Sequence, residues 1–327
     1  MSVNSAESYL QLLQKSRLLS PEQLEQARSA CNSAGDARSA ARLLIERGLV
    51  NKWQALQLLA GRFALTLGKY RLLDQIDANE TERVYLAEHS QLGRQVAVKT
   101  LSRRHVMDHP ELVKRLIDDA RKLAALDHRN LIHVYDVDTA DDRFFVVFEH
   151  VTGETLQEIV AREGPLPVAD AVRYVAQAAS GMAYAHEQRL VHGALGPDNL
   201  LIDRTQGLKV LNLCMHVSTR PAKALAPGDD GGRPAESAYA APELQHGHGQ
   251  IEPFSDVYSL GGTLYFLLTG QAPAWGEDAD AETIVAQLRE LRPEVPADLA
   301  GLCAQMMAPQ PAARLASTRA VQEELEQ

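Results

Sequence analysis

The sequence predicts an α+β protein of two lobes, preceded by a small all-α domain. Three observations support this prediction: helix-start signals fill the N-terminal segment, β-rich apolar runs begin at Tyr70, and helical periodicity returns beyond Gly153. A sheet interrupted by one helix and followed by a helical half is an α+β arrangement. We expect domains at residues 1–65, 66–151 and 152–327.

The N-terminal segment is expected to be helical throughout, with helices at Glu7–Arg17, Pro21–Cys31, Asp36–Arg47 and Lys52–Arg62. At the second of these, Ser20 is a capping residue, Pro21 suits the first turn and Gln23 can reach back to the cap. The stretch from Ser16 to Ser20 recurs as Arg47 to Asn51, 31 residues later, which predicts two stacked helical hairpins. Trp53 is expected in their packed core rather than against a ligand.

The middle of the chain has the pattern of a five-stranded sheet. We expect strands at Tyr70–Ile76, Arg83–Glu88, Gln95–Thr100, Leu131–Val137 and Phe144–Glu149, with one helix at Pro110–Leu126. The clearest later helices are Val168–Gln188 and Ser255–Thr269, and Pro221–Pro234 is expected to be a loop.

Composition and charge exclude several classes of protein. The net charge of −10 argues against nucleic-acid binding and against binding to an anionic membrane, since basic surface normally drives both. The longest apolar run is interrupted and much shorter than the roughly 20 residues of a membrane helix. Three scattered cysteines and an N-terminus without a secretory pattern favour a cytoplasmic protein without disulfides.

The charge is unevenly distributed along the chain. Up to Ala64, eight Lys/Arg stand against five Asp/Glu, so this segment carries +3 and the remainder −13. The basic segment could dock on the acidic remainder, or the two could have independently solvated surfaces.

Six motifs in order carry a family resemblance. They are VAVK ending at Lys99, the helix sequence RLIDDARKLAALDHRNLI, GALGPDNLL containing Asn199, the Ala241-Pro242-Glu243 triplet, SDVYSLGGTLYFLLTG containing Asp256, and PQPAARL containing Arg314. From Tyr70 to the C-terminus the chain therefore resembles the Ser/Thr protein kinase family, as a degraded member, or pseudokinase. The helical segment before it resembles one that precedes kinase domains in some bacterial Ser/Thr kinases.

The resemblance implies that the residues of phosphoryl transfer are missing. Ala194 stands at the catalytic aspartate, Gly196 at the loop lysine and Asn212 at the main magnesium ligand. The turn from Asp77 to Glu82 lacks the glycines that let backbone N–H groups approach phosphates, and its three carboxylates would repel a triphosphate. Rescue by Asp198 or Asp203 is disfavoured. We therefore expect no enzyme activity, no metal and no bound magnesium.

Other residues match the nucleotide-binding positions of the family. Lys99 corresponds to the phosphate-binding lysine, Phe148 to the gatekeeper, and the remaining candidates are Val84, Ala97, Glu149, Val151, Asn199 and Leu201. An adenine slot could be open, or neighbouring side chains could fill it. Asp119 replaces the helix glutamate, so Lys99 and Asp119 form either a structural ion pair or part of a nucleotide site.

Residues that hold the C-terminal lobe together in the family are retained, namely His192, Glu243, Asp256 and Arg314. Regulation by phosphorylation is disfavoured at Ser218, Thr219 and Ser237, because Gly193 and Glu236 replace the arginine and threonine of the family. His246 and His248 are expected to be ordinary loop residues rather than metal ligands, and Cys214 to be buried and inert.

Three functions remain open. The first is a non-catalytic scaffold or allosteric regulator that binds a protein partner, such as an active kinase. The second is a nucleotide-sensing module that binds ATP without magnesium, and the third is an atypical kinase of low activity. The sequence does not define the oligomeric state.

Overall fold

The computed structural model describes residues 3–78, 82–101, 110–140, 143–203, 207–213, 238–245, 251–274 and 280–327. The chain divides into two compact units, one of Met1–Pro110 with Val134–His150 and the other of Glu111–His133 with Val151–Gln327. The predicted division into three domains stays a prediction. Outside the described residues lie the predictions for Asn79, Glu80, Thr81, Cys214, Ser218, Thr219, Pro221–Pro234, Glu236, Ser237, His246 and His248.

The first unit begins with the predicted helical repeat: α1 (Ala6–Ser16), α2 (Pro21–Asn32), α3 (Ala37–Glu46) and α4 (Lys52–Leu59). Both α2 and α4 open with a complete capping box, in which Ser20 pairs with Gln23 and Asn51 with Gln54. The repeat therefore consists of two helical hairpins of like construction. Trp53 is half-buried and packs against both the helical core and the core of the sheet.

The first unit continues with a sheet of six strands, in the order β1-β2-β3-β4-β6-β5. The strands are β1 (Thr66–Leu67), β2 (Tyr70–Ala78), β3 (Glu82–His89), β4 (Gln95–Leu101), β5 (Val134–Ala140) and β6 (Arg143–Glu149), and all neighbours are antiparallel. The predicted number of five strands was wrong, because the short β1 pairs with the start of β2. The predicted strand at Leu131 begins only at Val134, because Leu131 instead makes an isolated bridge to Val210.

The second unit is mostly helical. It contains α5 (Pro110–Ala124), α6 (Leu156–Glu163), α7 (Val168–Glu187), α8 (Pro242–Gln245), α9 (Pro253–Thr269), α10 (Ala281–Leu291), α11 (Ala297–Met306), α12 (Thr318–Leu325) and short 3-10 turns at Pro197–Asn199 and Pro311–Ala313. A small sheet joins β7 (Gly153–Thr155), β8 (Leu200–Asp203) and β9 (Gly207–Val210). The apolar helix α9 is buried along nearly its whole length, as its sequence predicts. None of the described helices is both long and apolar enough to cross a membrane.

Candidate functional site

The register of the large sheet sorts its side chains onto two faces. Tyr85, Ala87, Val96 and Val98 point to one face, where they pack with Phe145 in a closed core. Successive side chains of a strand alternate between faces, and paired residues of neighbouring strands share a face. The second face therefore carries the intervening residues of β3, β4 and β6.

This second face gathers four of the candidate nucleotide-binding residues. Val84 pairs with Lys99 across β3 and β4, and Ala97 pairs with Phe148 across β4 and β6. Val84 and Ala97 are half-buried, whereas Lys99 and Phe148 are only 5% and 8% exposed. Glu149, at the end of β6, is half-buried. Apolar side chains and a lysine on one face are what an adenine ring and its phosphates would need. Nucleotide binding itself stays a prediction.

Lys99 on this face is engaged by a carboxylate of its own hairpin. Its Nζ lies 2.7 Å from Oε2 of Glu82, and the two side chains are 5% and 11% exposed. This pair was not predicted from the sequence, although Glu82 lies at the end of the glycine-free turn and on the strand beside β4. The two side chains meet because Glu82 and Val84 share a face and Val84 lies opposite Lys99.

Asp119, on α5, lies 3.6 Å from Nζ of Lys122 through its Oδ1. This contact joins residues three apart on one helix, which are neighbours on the helix surface. Lys99 and Asp119 belong to different units. The predicted ion pair between them stays a prediction.

The second unit brings together Asn199, a candidate nucleotide-binding residue, and Asn212, which the sequence resemblance aligns with the main magnesium ligand. Nδ2 of Asn212 donates to Oδ1 of Asn199 at 2.9 Å, and Nδ2 of Asn199 donates to the carbonyl of Ala194 at 2.8 Å. Asn212 adopts a left-handed backbone with φ of 56°. Both side chains are neutral amides, so this pair lacks the negative charge with which carboxylates attract a hard cation. Leu201 on β8 and Val151 before β7 are half-buried.

Gly196, which the sequence resemblance aligns with the loop lysine, lies beside an aromatic ring that was not predicted from the sequence. A Cβ added to Gly196 would lie 3.4 Å from Cδ2 of Tyr239. Tyr239 is 2% exposed and packs edge-to-face on Phe266. Burial, followed by the charge of Asp198, raises the pKa of Tyr239 far above its ordinary value, so the ring is a neutral part of the core. A side chain at position 196 would therefore start in van der Waals contact with this buried ring.

A fully buried aspartate organises the backbone on the N-terminal side of Ala194. Asp256 accepts hydrogen bonds from the N–H of His192 at 3.0 Å and of Gly193 at 2.8 Å. Nε2 of His186, a residue that no motif had indicated, lies 2.8 Å from the same carboxylate. Burial lowers the pKa of His192, whose Nε2 contacts the carbonyl of Leu211 at 2.9 Å. His192 and Asp256 therefore act structurally, by fixing the loop.

Glu243 and Arg314 form a bidentate ion pair in the same unit. Nη1 and Nη2 of Arg314 lie 2.7 and 2.8 Å from the two carboxylate oxygens, and the arginine side chain is 0% exposed. The guanidinium also donates to the carbonyls of Phe254, Ala308 and Pro309. Burial raises the pKa of Glu243, but hydrogen bonds from Arg314 outweigh it and hold that pKa below its usual value.

The fold and these networks define a protein of the kinase class. The chain belongs to the protein kinase domain family, which matches residues 70–325. It is 33% identical over 229 residues to the serine/threonine-protein kinase PrkC of Bacillus subtilis (strain 168), covering 70% of this chain and 34% of that protein. It is 31% identical over 270 residues to the serine/threonine-protein kinase Pkn1 of Myxococcus xanthus, covering 79% of this chain and 38% of that protein.

A solved structure supports the fold. The crystal structure of a point mutant of the Mycobacterium tuberculosis PknI kinase domain superposes with a TM-score of 0.62 at 23% identity and covers 80% of this chain and 96% of that one. The α+β prediction is thereby confirmed, as is the resemblance to bacterial Ser/Thr kinases. The matched stretches span only about a third of the length of the curated relatives, at 34% and 38%.

One expectation is corrected by these relatives. The substitutions at Ala194, Gly196 and Asn212 led to the prediction that the chain is not an enzyme. Proteins that are 31–33% identical over much of the chain are named serine/threonine-protein kinases, which overturns that prediction. Phosphoryl transfer is therefore an activity to be assayed in this protein.

Proposed function

We propose that the chain acts as a protein-binding, allosteric domain in Ser/Thr kinase signalling, with an active kinase of the same family as its partner. One observation carries this proposal. The networks of Asp256 and of Glu243 with Arg314 keep the second unit folded, while Asn212 presents a neutral amide at the position that the resemblance aligns with the main magnesium ligand. The contacts that hold the second unit together are thus in place, while position 212 carries no negative charge. The proposed role does not depend on whether the chain also transfers phosphate.

The helical module strengthens this proposal, because it is built into the first unit. Nε2 of Gln54 donates to the carbonyl of Leu72 at 2.7 Å, and Nδ2 of Asn51 donates to the carbonyl of Leu73 at 2.8 Å. Trp53 meets Tyr85 edge-to-face with ring centroids 6.1 Å apart. Amide contacts and an aromatic pair therefore join the helices to the sheet within the first unit.

The experiment is a binding and activity assay with the purified kinase domain of a relative, such as that of PrkC. The chain is titrated against the immobilised domain, and the rate of substrate phosphorylation by that domain is followed in parallel. Saturable binding that changes the rate supports an allosteric role. The same preparation with radiolabelled ATP and no second kinase measures its own transfer, for which Lys99→Ala is the control. Absence of both binding and rate change would contradict the proposed partner.

Nucleotide binding without magnesium is a second candidate function, favoured by a separate observation. Lys99, Val84, Ala97 and Phe148 share one face of the sheet, whereas Asn212, aligned with the main magnesium ligand, is a neutral amide. A ring could be held by the apolar side chains and a phosphate by the ammonium of Lys99. Calorimetric titration of ADP and ATP, with and without magnesium, tests this function. Binding that is unchanged by magnesium and lost in Lys99→Ala supports it, whereas an absolute need for magnesium contradicts it.

A further inference from the structure

Glu82 and Glu88, both on β3, each form an ion pair with a neighbouring strand, and the two pairs differ in burial. Arg71 and Glu88 are also joined at 2.7 Å, with side chains 33% and 27% exposed. Glu82 and Lys99 have the same separation but are 11% and 5% exposed. Charges removed from water interact more strongly and are screened less by salt. The pair at Lys99 is therefore the tighter constraint of the two.

The position of Glu82 gives this constraint a consequence for ligands. Glu82 begins β3, directly after the turn in which the family uses glycine backbone to approach phosphates. Its carboxylate offers Lys99 the same interaction that a phosphate would offer, an anionic oxygen at hydrogen-bonding distance. An incoming phosphate must displace this carboxylate and leave a half-buried negative charge beside its own. Both effects oppose binding of an anion at Lys99.

We propose that Glu82 is an internal competitor of nucleotide phosphates for Lys99, and thus an autoinhibitory contact. The ligand class is a nucleoside di- or triphosphate free of magnesium, so the inference rests on the nucleotide-binding function proposed above. Removal of the Glu82 charge frees the ammonium of Lys99 for phosphate and removes the repulsion. Nucleotide affinity therefore rises when Glu82 is neutralised and falls again when Lys99 is removed as well.

The test compares wild type with Glu82→Gln, with the double variant Glu82→Gln/Lys99→Met, and with Glu88→Gln. The last is a matched control, since Glu88 lies on the same strand and pairs with an arginine at the same distance. Two readouts are used on each full-length chain: calorimetric affinity for ADP and ATP without magnesium, and the extent of trace acetylation of Lys99 by acetic anhydride, measured by mass spectrometry. Circular dichroism melting shows which variants fold.

We expect Glu82→Gln to bind ADP at least about tenfold more tightly, a change equal to about 1.4 kcal/mol, and to acetylate faster at Lys99. Glu88→Gln should behave as wild type in both readouts, and the double variant should lose the gain in affinity. Equal affinity and equal acetylation in wild type and Glu82→Gln would overturn the inference while leaving nucleotide binding intact. Faster acetylation with no binding at millimolar nucleotide would refute nucleotide binding, and the inference with it.

Discussion

Hydrogen bonds attach the helical module to β2, so the two capping boxes of the module should contribute differently to the unfolding free energy. In the first repeat, the side chains of Ser20 and Gln23 cap α2 and bond within its first turn. In the second, Asn51 and Gln54 cap α4 and each donates one further hydrogen bond to β2. We therefore compare the double variants Asn51→Ala/Gln54→Ala and Ser20→Ala/Gln23→Ala.

Both variants lose a cap, which typically costs about 1 kcal/mol of stability. The Asn51/Gln54 variant also loses two hydrogen bonds of about 0.5–1.5 kcal/mol each, so it should be destabilised by about 1–3 kcal/mol more. Gln54 is 4% exposed, which places its lost contact in a buried setting where the carbonyl of Leu72 is left without this donor.

Urea unfolding followed by tryptophan fluorescence measures this difference. The chain has two tryptophans, so a Trp275→Phe background leaves Trp53, which packs at the joint between helices and sheet, as the reporter. Both variants are expected to keep the slope of free energy against urea, which would show that stability alone has changed. Equal losses of unfolding free energy in the two variants would refute the reasoning, because the bonds to β2 would then contribute nothing.

Three further predictions concern the second unit. Arg314→Ala should lower the unfolding free energy of the second unit by about 3–5 kcal/mol, because Glu243 is left buried without its partner. Arg162→Ala, which removes an exposed ion pair, is the control and should leave the urea midpoint nearly unchanged. Similar urea midpoints in the two variants would contradict this prediction. The pKa of Glu243 is lower in the folded protein than its unfolded value of about 4.3. The stabilisation from the ionised carboxylate is therefore complete above the unfolded pKa and is lost as pH falls through the folded pKa. The difference in unfolding free energy between wild type and Arg314→Ala should accordingly narrow as pH falls below the folded pKa. Gly193→Ala should lower the unfolding free energy, measured in urea, by about 1–2 kcal/mol. The backbone φ at this position is +72°, and the new Cβ would lie 2.7 Å from Cγ2 of Ile251. An unchanged urea midpoint would contradict this, because it would show that the loop relaxes freely.

The sequence predicted elements whose pattern is local. The helices of the repeat, the long strands and α9 all followed from periodicity and capping signals, because those depend on residues a few positions apart. The strand β1 was missed because two residues carry no periodic pattern. The start of β5 was placed too early because Leu131 is apolar and pairs with a residue far along the chain, Val210.

The sequence identified residues of the candidate site but not the contacts that they make. Motif positions identified Lys99, Asn199 and Asn212, whereas the pairing of Lys99 with Glu82 follows from strand register and that of Asn199 with Asn212 from tertiary structure. Tyr239 was missed because its packing over Gly196 joins residues distant in sequence. Such contacts are tertiary, and no local propensity encodes them.

Because Trp53 and Gln54 contact the sheet, truncating the chain before Tyr70 should have a practical cost. The family match begins at Tyr70, so a shortened chain starting there would contain every kinase-like motif. It would also strip Tyr85 of its aromatic neighbour and leave the Leu72 carbonyl without its amide donor. Such a fragment would expose an apolar face to water and tend to aggregate. Recombinant work on the kinase-like part should therefore retain the helices that precede it.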